Sequence, residues 1–407
     1  MTIKDKTIIL GVTGGIAAYK AAELTRLLIK AGAKVHVIMT RGAAEFVTPL
    51  TFQTLSKNPV HTDLFSLTQE AEVGHISLAD RADLFVIAPA TANIIGKIAN
   101  GIADDLLTTS VMATKAPVLL APAMNCNMYD NPIVQGNMKR LKDYGYAFID
   151  SETGELACGY EGKGRMAEPS DILEEIEAIL SPKDLKGEKI LITAGPTYEA
   201  IDPVRFIGNR SSGKMGYALA KMALRRGADV ALISGPSPLK PPRGTRFIMV
   251  ESAEEMRSSA MANLKDATAV IMTAAVADYR PRNTASEKMK KGKELLSIDL
   301  EKTEDILSEI GKKKGKRLLI GFAAETENLI ANAKKKLKEK NLDLIVANNV
   351  KEPGAGFGVD TNIVTIIDRK GNVEKLPKMS KEEVAWRVLD RMSVEVLGER
   401  KFRIKLL

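Results

Sequence analysis

The stretch TIILGVTGGIAAYK, residues 7–20, decides the fold of the first half of this 407-residue chain. Its first six residues form an uncharged run that predicts a strand buried on both faces, and an amphipathic pattern from about Ile16 to Ala31 predicts a helix. Gly11, Gly14 and Gly15 lie at the junction, where free backbone amides and the helix N-terminus form a site for an anion. The same glycines could also serve only to tighten the turn. The stretch therefore predicts a strand–loop–helix unit, with the loop as the place to look for a ligand.

The same pattern recurs along the chain and predicts the fold class. The runs KVHVIM at 34–39, DLFVIAP at 83–89 and PVLLAPAM at 117–124 alternate with amphipathic segments. KILITAG at 189–195 starts the pattern again. We predict an α/β protein with two doubly wound, Rossmann-like domains in series, each a mostly parallel sheet with helices on both faces.

The boundary between the domains is predicted where a helical pattern gives way to SPKDLKGEK at 181–189. This boundary defines one domain at 1–182 and a second at 188–407. The second domain is predicted to end in a helix from about Glu382 to Leu397.

Composition excludes several classes of protein. Hydrophobic residues make up 45% of the chain and charged residues 27%, as in soluble globular proteins. The net charge of +8 is spread along the chain, which suits anionic small molecules and does not indicate a nucleic acid partner. No signal-peptide pattern and no apolar run of about 18 residues occurs, so we expect a cytoplasmic protein without a membrane partner. Two cysteines and three histidines exclude a disulfide framework and a structural zinc site.

Polar side chains follow the buried runs of the first domain. The second run ends in Thr40 and Arg41 instead of the acidic residue that binds a ribose diol in NAD sites. A ligand with a phosphate, such as FMN or NADP, therefore fits better than NAD. Thr91 and Asn93 follow the next run and could hydrogen-bond a planar ligand. Asn125 offers an amide that holds a carboxylate without delivering a proton to it.

His75 and Cys158 are the candidates for proton transfer. A lone histidine is often structural, but it is also the side chain best suited to proton transfer near neutral pH. Cys158 begins CGYEGKGRM at 158–166, a run of glycines and charges that cannot form a hydrophobic core. Because a free cysteine is usually a small buried residue, this position favours chemistry over packing. Cys126 is interpreted as structural.

Motifs of the first domain resemble the homo-oligomeric flavin-containing cysteine decarboxylases. The motifs are GGIAAYK at 14–20, GHI at 74–76, PATANIIGKIANGIADDLL at 89–107, PAMN at 122–125 and ACGYEGKGRM at 157–166. The resemblance implies FMN as cofactor, His75 and Asn125 as active-site residues, and Cys158 as the proton donor on a flap over the substrate. The FMN contacts that it implies are Gly14, Gly15, Ile16, Ala17, Thr40, Thr91, Asn93 and Ser110.

The reaction implied by this resemblance is chemically consistent. A carboxylate beside an ordinary thiol-bearing carbon has no electron sink, so loss of CO2 would be prohibitively slow. If FMN first oxidises the thiol to a thioaldehyde, the C=S group accepts the electrons that CO2 leaves behind. The resulting enethiolate needs one proton and the return of a hydride, and a cysteine is a suitable acid for the proton.

The second domain carries its own ligand-binding patterns. SSGKMG at 211–216 is similar to a P-loop in its hydroxyls, glycine and lysine, but Met215 follows the lysine, which excludes an ordinary P-loop NTPase. MTAAVADYRP at 272–281 ends a buried run in small residues and offers Asp278 to a ribose or base. EKMKKGK at 287–293 is typical of a solvated charge run. Beside a nucleotide it would supply positive charge to a leaving pyrophosphate.

Motifs of the second domain resemble the phosphopantothenate–cysteine ligases. The motifs are ITAGPT at 192–197, DPVRFIGNRSSGKMG at 202–216, AAVADY at 274–279, KMKK at 288–291, GFAAET at 321–326 and NLDLIVAN at 341–348. The resemblance implies activation of the pantothenate carboxylate by CTP, after which the amine of cysteine displaces CMP. It places Arg205 and Asn209 at the acyl-cytidylate and Lys288 in transition-state stabilisation. The CTP contacts that it implies are Ala274, Asp278, Lys288, Thr303, Asp305, Ile306, Phe322, Lys336 and Lys340.

The two resemblances in series are those of bifunctional enzymes of coenzyme A biosynthesis. They imply 4'-phosphopantothenate, cysteine and CTP as substrates, and 4'-phosphopantetheine as the final product. Mg²⁺ is implied with the triphosphate, although no carboxylate cluster indicates its ligands. A homo-oligomer is also implied, in which decarboxylase trimers are linked by ligase dimers into a dodecamer.

Two other functions agree with parts of the sequence. An NADP-dependent reductase would account for the glycine loops and for Thr40 and Arg41, but it leaves Asn125, Cys158 and the lysine loop without a role. A nucleotide-sensing regulatory protein would leave the proton donor and the lysine loop without a role as well. Flavin absorbance without a requirement for nicotinamide separates the reductase from the enzyme that the resemblance implies.

Overall fold

The strand that opens each half of the chain lies inside a parallel sheet. A computed structural model describes residues 3–64, 74–155, 161–290, 297–325, 327–349, 351–356 and 358–404, without the side chains at 74–75, 77, 155, 161 and 395–404. The chain divides into two units, residues 1–181 and 182–407.

The first unit alternates strands with helices. Its strands are β1 (Thr7–Val12), β2 (Lys34–Met39), β3 (Val60–His61), β4 (Leu84–Ala90), β5 (Val118–Pro122), β6 (Ala147–Phe148), β7 (Glu152–Glu155) and β8 (Glu161–Arg165). Its helices are α1 (Ala18–Lys30), α2 (Arg41–Ala44), α3 (Pro49–Ser56), α4 (Gly74–Arg81), α5 (Ala92–Ala99), α6 (Leu106–Ala113), α7 (Cys126–Tyr129), α8 (Pro132–Asp143) and α9 (Pro169–Leu180).

The main sheet of the first unit has the strand order β3-β2-β1-β4-β5-β6, and its described pairs are parallel. The order of the strands reverses between β1 and β4, and a crevice forms beyond the carboxyl ends of strands at such a reversal. Strands β7 and β8 pair antiparallel as a separate hairpin.

Alternate residues of β1 pack on opposite faces of this sheet. Ile8 and Leu10 contribute to a cluster with α1 and α9, whereas Ile9 contributes to a cluster with α5, α6 and α8. All three side chains are fully buried. Burial on both faces is the reason that the run at 7–12 is apolar throughout instead of alternating with polar residues.

The second unit repeats this construction. Its strands are β9 (Lys189–Ala194), β10 (Tyr198–Ala200), β11 (Phe206–Gly208), β12 (Asp229–Ser234), β13 (Arg246–Met249), β14 (Ala269–Met272), β15 (Tyr279–Pro281), β16 (Leu300–Lys302), β17 (Leu318–Glu325), β18 (Leu344–Asn349), β19 (Thr361–Asn362), β20 (Val364–Asp368), β21 (Val373–Lys375) and β22 (Met379–Ser380). Its helices are α10 (Lys214–Arg225), α11 (Ala253–Leu264), α12 (Ile306–Lys313), α13 (Leu329–Glu339) and α14 (Lys381–Ile404).

The main sheet of the second unit has the order β13-β12-β9-β14-β17-β18-β20-β21. Its pairs are parallel as far as β18, and β20 and β21 add an antiparallel edge. The order of the strands reverses between β9 and β14. The predicted fold class, two doubly wound α/β domains with mostly parallel sheets, is confirmed.

The ends of the predicted helices differ by a few residues from those observed. α1 begins at Ala18 instead of Ile16, because the glycine turn continues as far as the cap residue Ala17. α14 begins at Lys381 and continues to Ile404, beyond the predicted end at Leu397. Within the described ranges, no helix combines the length and apolar character needed to cross a membrane.

A buried arginine joins three segments of the second unit. Arg226 follows α10, is 2% exposed, and pairs with Asp184 at 2.5 Å and with Asp390 of α14 at 2.8 Å. Its guanidinium also lies 5.0 Å from the ring centroid of Trp386. Burial alone would raise the pKa of Asp184, but hydrogen bonds from Arg226 and Ser393 lower it overall. The pair therefore stabilises the fold above the unfolded-state pKa, and this stability is lost as the pH falls through the lower folded-state pKa.

We expect Arg226→Met to lower the free energy of unfolding by about 3 kcal/mol, because it leaves partly buried Asp184 without its cation. The matched control is Arg387→Met, since Arg387 pairs with Glu374 at 2.7 Å near the surface and such pairs contribute about 0–1 kcal/mol. Urea denaturation measures both variants, and the difference between them should shrink as the pH falls from the ordinary pKa of an aspartate, about 4, through the lower folded-state pKa of Asp184. Equal losses in the two variants would contradict a stabilising role for the buried network.

Candidate functional site

A cleft of about 950 Å³ opens in the first unit, at the carboxyl ends of β1 and β4. Ligand pockets usually enclose about 300–1,000 Å³, so the cleft is large enough for a flavin nucleotide and a substrate. Asn125 lines it, as do seven of the eight FMN contacts implied by the sequence. These seven are Gly14, Gly15, Ile16, Ala17, Thr40, Thr91 and Asn93.

The turn after β1 packs directly against α2, the short helix that follows β2. A Cβ atom on Gly14 would lie 2.8 Å from the carbonyl carbon of Gly42, closer than such atoms approach, so only glycine fits. Thr13 holds the other side of the turn, since its Oγ1 donates to the carbonyl of Pro89 at 2.8 Å and accepts from the N–H of Thr91 at 3.3 Å. The glycine turn that would hold an anion is therefore fixed on one side by a close backbone contact and on the other by the hydrogen bonds of Thr13.

Most of the cationic side chains in this cleft already form ion pairs with carboxylates of the protein. Lys20, Lys97 and Arg165 line the cleft, and each forms an ion pair with a carboxylate at 2.7–2.9 Å. Arg41 is exposed and has no carboxylate partner among the described residues. The hydroxyl of Thr40 makes no hydrogen bond to α2, the helix that it precedes, and has no partner elsewhere in the described part of the chain. A free guanidinium and a free hydroxyl suit a phosphate, and the residues present fit a flavin nucleotide.

Asn125 is oriented by the helix that it caps. Its Oδ1 accepts the N–H of Asn127 at 2.9 Å, which fixes the side-chain amide at the wall of the cleft. The preceding residue, Met124, donates its N–H to the carbonyl of Gly164 in β8 at 2.9 Å. Gly164 has φ +139, and any Cβ there would collide with the carbonyl oxygen of Met124. Strand β8 therefore holds the PAMN turn in place.

Three predicted residues do not appear on the described wall of this cleft. Ser110 lies in α6, is fully buried, and its hydroxyl has no hydrogen-bond partner. The start of α6 reaches the cleft through Leu106 and Leu107, and Ser110 lies on the next turn. His75 lies in α4, but its side chain is outside the described part of the structure, and Cys158 lies outside the described residues. Their roles stay predictions.

A second cleft, of about 520 Å³, lies in the second unit at the carboxyl ends of β14 and β17. Asn209 lines it together with eight of the nine implied CTP contacts. These eight are Ala274, Asp278, Thr303, Asp305, Ile306, Phe322, Lys336 and Lys340. Residues between 209 and 340 thus meet at one sheet edge.

Asn209 is held at this cleft by the loop after β14. Its side-chain nitrogen donates to the carbonyls of Ala275 at 3.2 Å and of Val276 at 2.9 Å. Because both amide hydrogens are used, Oδ1 is the atom left to meet a ligand, and it can only accept a hydrogen bond.

The lysines of α13 are also oriented before ligand binding. Lys340 lies 2.9 Å from Asp305, the cap of α12, and Lys336 lies 2.7 Å from Glu325. Burial alone would raise the pKa of Asp305, but hydrogen bonds from Lys340 and Ser308 lower it overall. The carboxylate therefore stays charged at neutral pH and holds Lys340 at the cleft.

Arg205 and Lys288 lie outside the second cleft. Arg205 lines a neighbouring groove and donates to the carbonyl of Met289 at 3.1 Å, beside exposed Lys288. Asp202, whose side chain is fully buried, connects these segments. Its Oδ1 accepts the N–H groups of Val204 and Arg205, and its Oδ2 accepts that of Met289 at 3.2 Å. Burial alone would raise the pKa of Asp202, and these three backbone donors lower it overall.

Three residues of this region have roles that the sequence motifs do not indicate. The link from Asp202 to the lysine loop spans 87 residues, so no local pattern indicates it. Asn362 and Lys381 line the second cleft because β19 pairs with β22, which is a tertiary contact. Within the described ranges, no group of three His, Cys, Asp or Glu side chains is placed to hold a metal ion, and magnesium stays a prediction.

Comparisons with known proteins agree with this division of the sites. Residues 1–181 match the flavoprotein family, and residues 185–395 match the family described as DNA/pantothenate metabolism flavoprotein C-terminal domain. The chain is 51% identical to the coenzyme A biosynthesis bifunctional protein CoaBC of Bacillus subtilis, over 98% of this chain and 100% of that protein. This chain belongs to the CoaBC family.

A second relative and a solved structure carry the same name. CoaBC of Vibrio cholerae is 47% identical over 95% of this chain and 98% of its own length. A crystal structure of the C-terminal domain of a CoaBC protein is 45% identical, covers 53% of this chain and 99% of its own, and has a TM-score of 0.47. The family predicted from the sequence motifs is confirmed.

We expect Gly14→Ala to weaken flavin binding roughly tenfold or more, because the added Cβ must displace the backbone of α2 at Gly42. The matched control is Gly136→Ala in α8, where an added Cβ would meet no atom within 4 Å and alanine favours the helix. Flavin absorbance per chain after gel filtration measures both variants. Wild-type flavin content in Gly14→Ala would contradict the close approach of the glycine turn to α2.

Proposed function

We propose that this chain catalyses two consecutive steps of coenzyme A biosynthesis. The first joins cysteine to 4'-phosphopantothenate with CTP, and the second converts the product to 4'-phosphopantetheine and CO2 with FMN. The observation that carries the proposal is that each unit gathers most of its own implied ligand contacts in one cleft at the carboxyl ends of its parallel strands. The relatives are named as bifunctional proteins, which supports two activities in one chain.

In the ligation, a carboxylate oxygen of 4'-phosphopantothenate attacks the α-phosphorus of CTP, and pyrophosphate leaves. The amine of cysteine then attacks the acyl carbon, and CMP leaves as the amide bond forms. Lys336 and Lys340 supply positive charge beside the nucleotide, and Asn209 offers an acceptor to a donor on the acyl-cytidylate. Lys288 and Arg205 come from the neighbouring segment that Asp202 holds together.

In the decarboxylation, residues of the first unit bind the cofactor and the substrate, and they protonate the carbon that CO2 leaves. FMN, when bound, supplies the reversible two-electron oxidation that lets the substrate lose CO2. Thr40 and Arg41 hold a phosphate, and the side-chain amide of Asn125 holds the carboxylate that is lost. Cys158 delivers the proton to the carbon left behind, with His75 as a second active-site group.

The remaining expectations belong to the same proposal. CTP is bound with Mg²⁺, the chain acts in the cytoplasm, and its copies assemble into trimers linked by dimers. Exposed apolar side chains support association, since Ile16 and Tyr19 lie at the first cleft and Val204, Phe206 and Met249 lie at the groove beside Arg205. Neither the NADP-dependent reductase nor the regulatory protein accounts for membership of this family.

A coupled assay with CTP, cysteine and 4'-phosphopantothenate tests the proposal. We expect both pyrophosphate and CO2 with CTP, and ATP in place of CTP tests the nucleotide preference. Cys158→Ser should slow product formation about 100-fold or more and let the oxidised enethiol accumulate, because the proton donor is lost, while pyrophosphate release stays unchanged. Cys126→Ser is the matched control.

Two outcomes would contradict the proposal. Wild-type protein that releases only one of the two products would leave one unit without its proposed activity. Unimpaired decarboxylation by Cys158→Ser, without accumulated enethiol, would remove Cys158 from its proposed role.

The position of the lysine loop gives a separate prediction. Asp202→Asn keeps the oxygen that accepts from Val204 and Arg205 but puts an NH2 group against the N–H of Met289. We expect ligation to slow about 100-fold from the misplaced loop, with decarboxylation of added substrate unchanged. Asp229→Asn, at an exposed strand end, is the matched control. Wild-type ligation by Asp202→Asn would show that this link does not position Lys288.

A further inference from the structure

Among its described residues, the second cleft contains one lysine that forms no ion pair with a carboxylate. Lys214, Lys336, Lys340 and Lys381 are the described lysines that line it. The first three each lie 2.6–2.9 Å from a carboxylate oxygen. Lys381 has no such partner in the described part of the chain, although it is the least exposed of the four. Burial of an ammonium without a counter-ion is costly, so its position at a ligand cleft calls for a functional reason.

Lys381 is held in place by backbone carbonyls. It is 7% exposed, and its Nζ donates to the carbonyls of Gly356 at 3.4 Å and of Val359. Its own N–H donates to the carbonyl of Asp360 at 2.9 Å. An ammonium has three hydrogens, so one is left to meet a ligand. Burial and the charge of Lys214 lower the pKa of Lys381, and Asp360 opposes them.

Asn362 adds a second unused donor to the same wall. It lines the cleft, is 5% exposed, and its Oδ1 accepts the N–H of Ile363 at 3.0 Å. Its side-chain nitrogen donates to no acceptor among the described residues. The pairing of β19 with β22 sets Asn362 opposite Met379, two residues before Lys381. Lys381 and Asn362 therefore each have a hydrogen-bond donor that no described residue of the chain accepts, and that a ligand could use.

The chemistry of these two groups selects the kind of ligand. Both are donors and one is positively charged, so the ligand must offer acceptors and negative charge. Asp360 is exposed and pairs with Lys214 at 2.6 Å, so it does not serve as the counter-ion of Lys381. A phosphoryl group offers several terminal oxygens and a negative charge, and it forms strong charge-assisted hydrogen bonds with an ammonium.

We propose that Lys381 and Asn362 form a phosphoryl-binding subsite on the wall of the second cleft. The inference rests on the proposed function, in which this cleft takes two phosphate-bearing substrates, CTP and 4'-phosphopantothenate. The shared chemistry is the phosphoryl group, and the two sources are separated by experiment.

Isothermal titration of the full chain with CTP and Mg²⁺, CMP, 4'-phosphopantothenate and pantothenate tests the subsite. We expect Lys381→Met to weaken binding of one phosphate-bearing ligand about tenfold or more. Asn362→Asp keeps the acceptor for the N–H of Ile363 but replaces the donor by a negative charge, so it should weaken the same ligand at least as much. Lys375→Met, which removes one exposed positive charge from β21, is the matched control and should change affinity less than about twofold.

The ligand that loses affinity identifies the phosphate. Weaker binding of CTP with unchanged binding of CMP assigns the subsite to the β- and γ-phosphates. Weaker binding of both nucleotides assigns it to the α-phosphate. Weaker binding of 4'-phosphopantothenate with unchanged pantothenate assigns it to the other substrate. If Lys381→Met does not fold, as judged by thermal unfolding, Asn362→Asp decides between these outcomes.

Two results overturn the inference and are distinguishable. If the wild type binds both ligands and releases pyrophosphate, but the variants bind both within about twofold of the wild type, the subsite is wrong and the proposed function stands. If the wild type binds neither ligand and releases no pyrophosphate, both the subsite and the proposed ligase activity are wrong.

Discussion

The parallel pairing of a central strand with a neighbour on each side is the constraint on which both units depend. β1 pairs with β2 and β4, and β9 pairs with β12 and β14. Parallel neighbours require crossover connections, and these helices cover both faces of the sheet, so the strands must be apolar throughout. On the two sides of the central strand the connections run in opposite directions, and the loops beyond its carboxyl end separate. Each cleft is the space left by that separation.

The two clefts share an electrostatic arrangement. Most of their cations are already paired with carboxylates, which orients the side chains and limits the charge that a ligand must neutralise. In each cleft one described cation is left without a carboxylate partner, Arg41 in the first and Lys381 in the second. Pairing makes the other cations weak attractors, because much of their charge is already balanced. The unpaired cation is therefore the strongest local attractor for an anionic group.

The motifs that could be recognised from the sequence are those in which ligand contacts come from one loop. GGIAAYK and AAVADY each follow a single strand, so the fold that the pattern predicts also places their residues at the sheet edge. Contacts between loops were not predictable in this way. Asp202 reaches Met289 across 87 residues, and Lys381 reaches Gly356 through a pairing of short strands. The sequence contains no periodicity or spacing that indicates such pairs.

The sequence by itself determined the fold class and the strand ends at which the clefts open, because apolar periodicity and glycine turns act over a few residues. Only the tertiary structure decided how the polar atoms at the clefts are used. Asn125 and Asn209 are both amides beside a cleft, yet the first uses its oxygen for a helix cap and the second uses its nitrogen for two carbonyls. That difference depends on partners in three dimensions, since an amide has a donor end and an acceptor end and packing selects which of them the protein consumes.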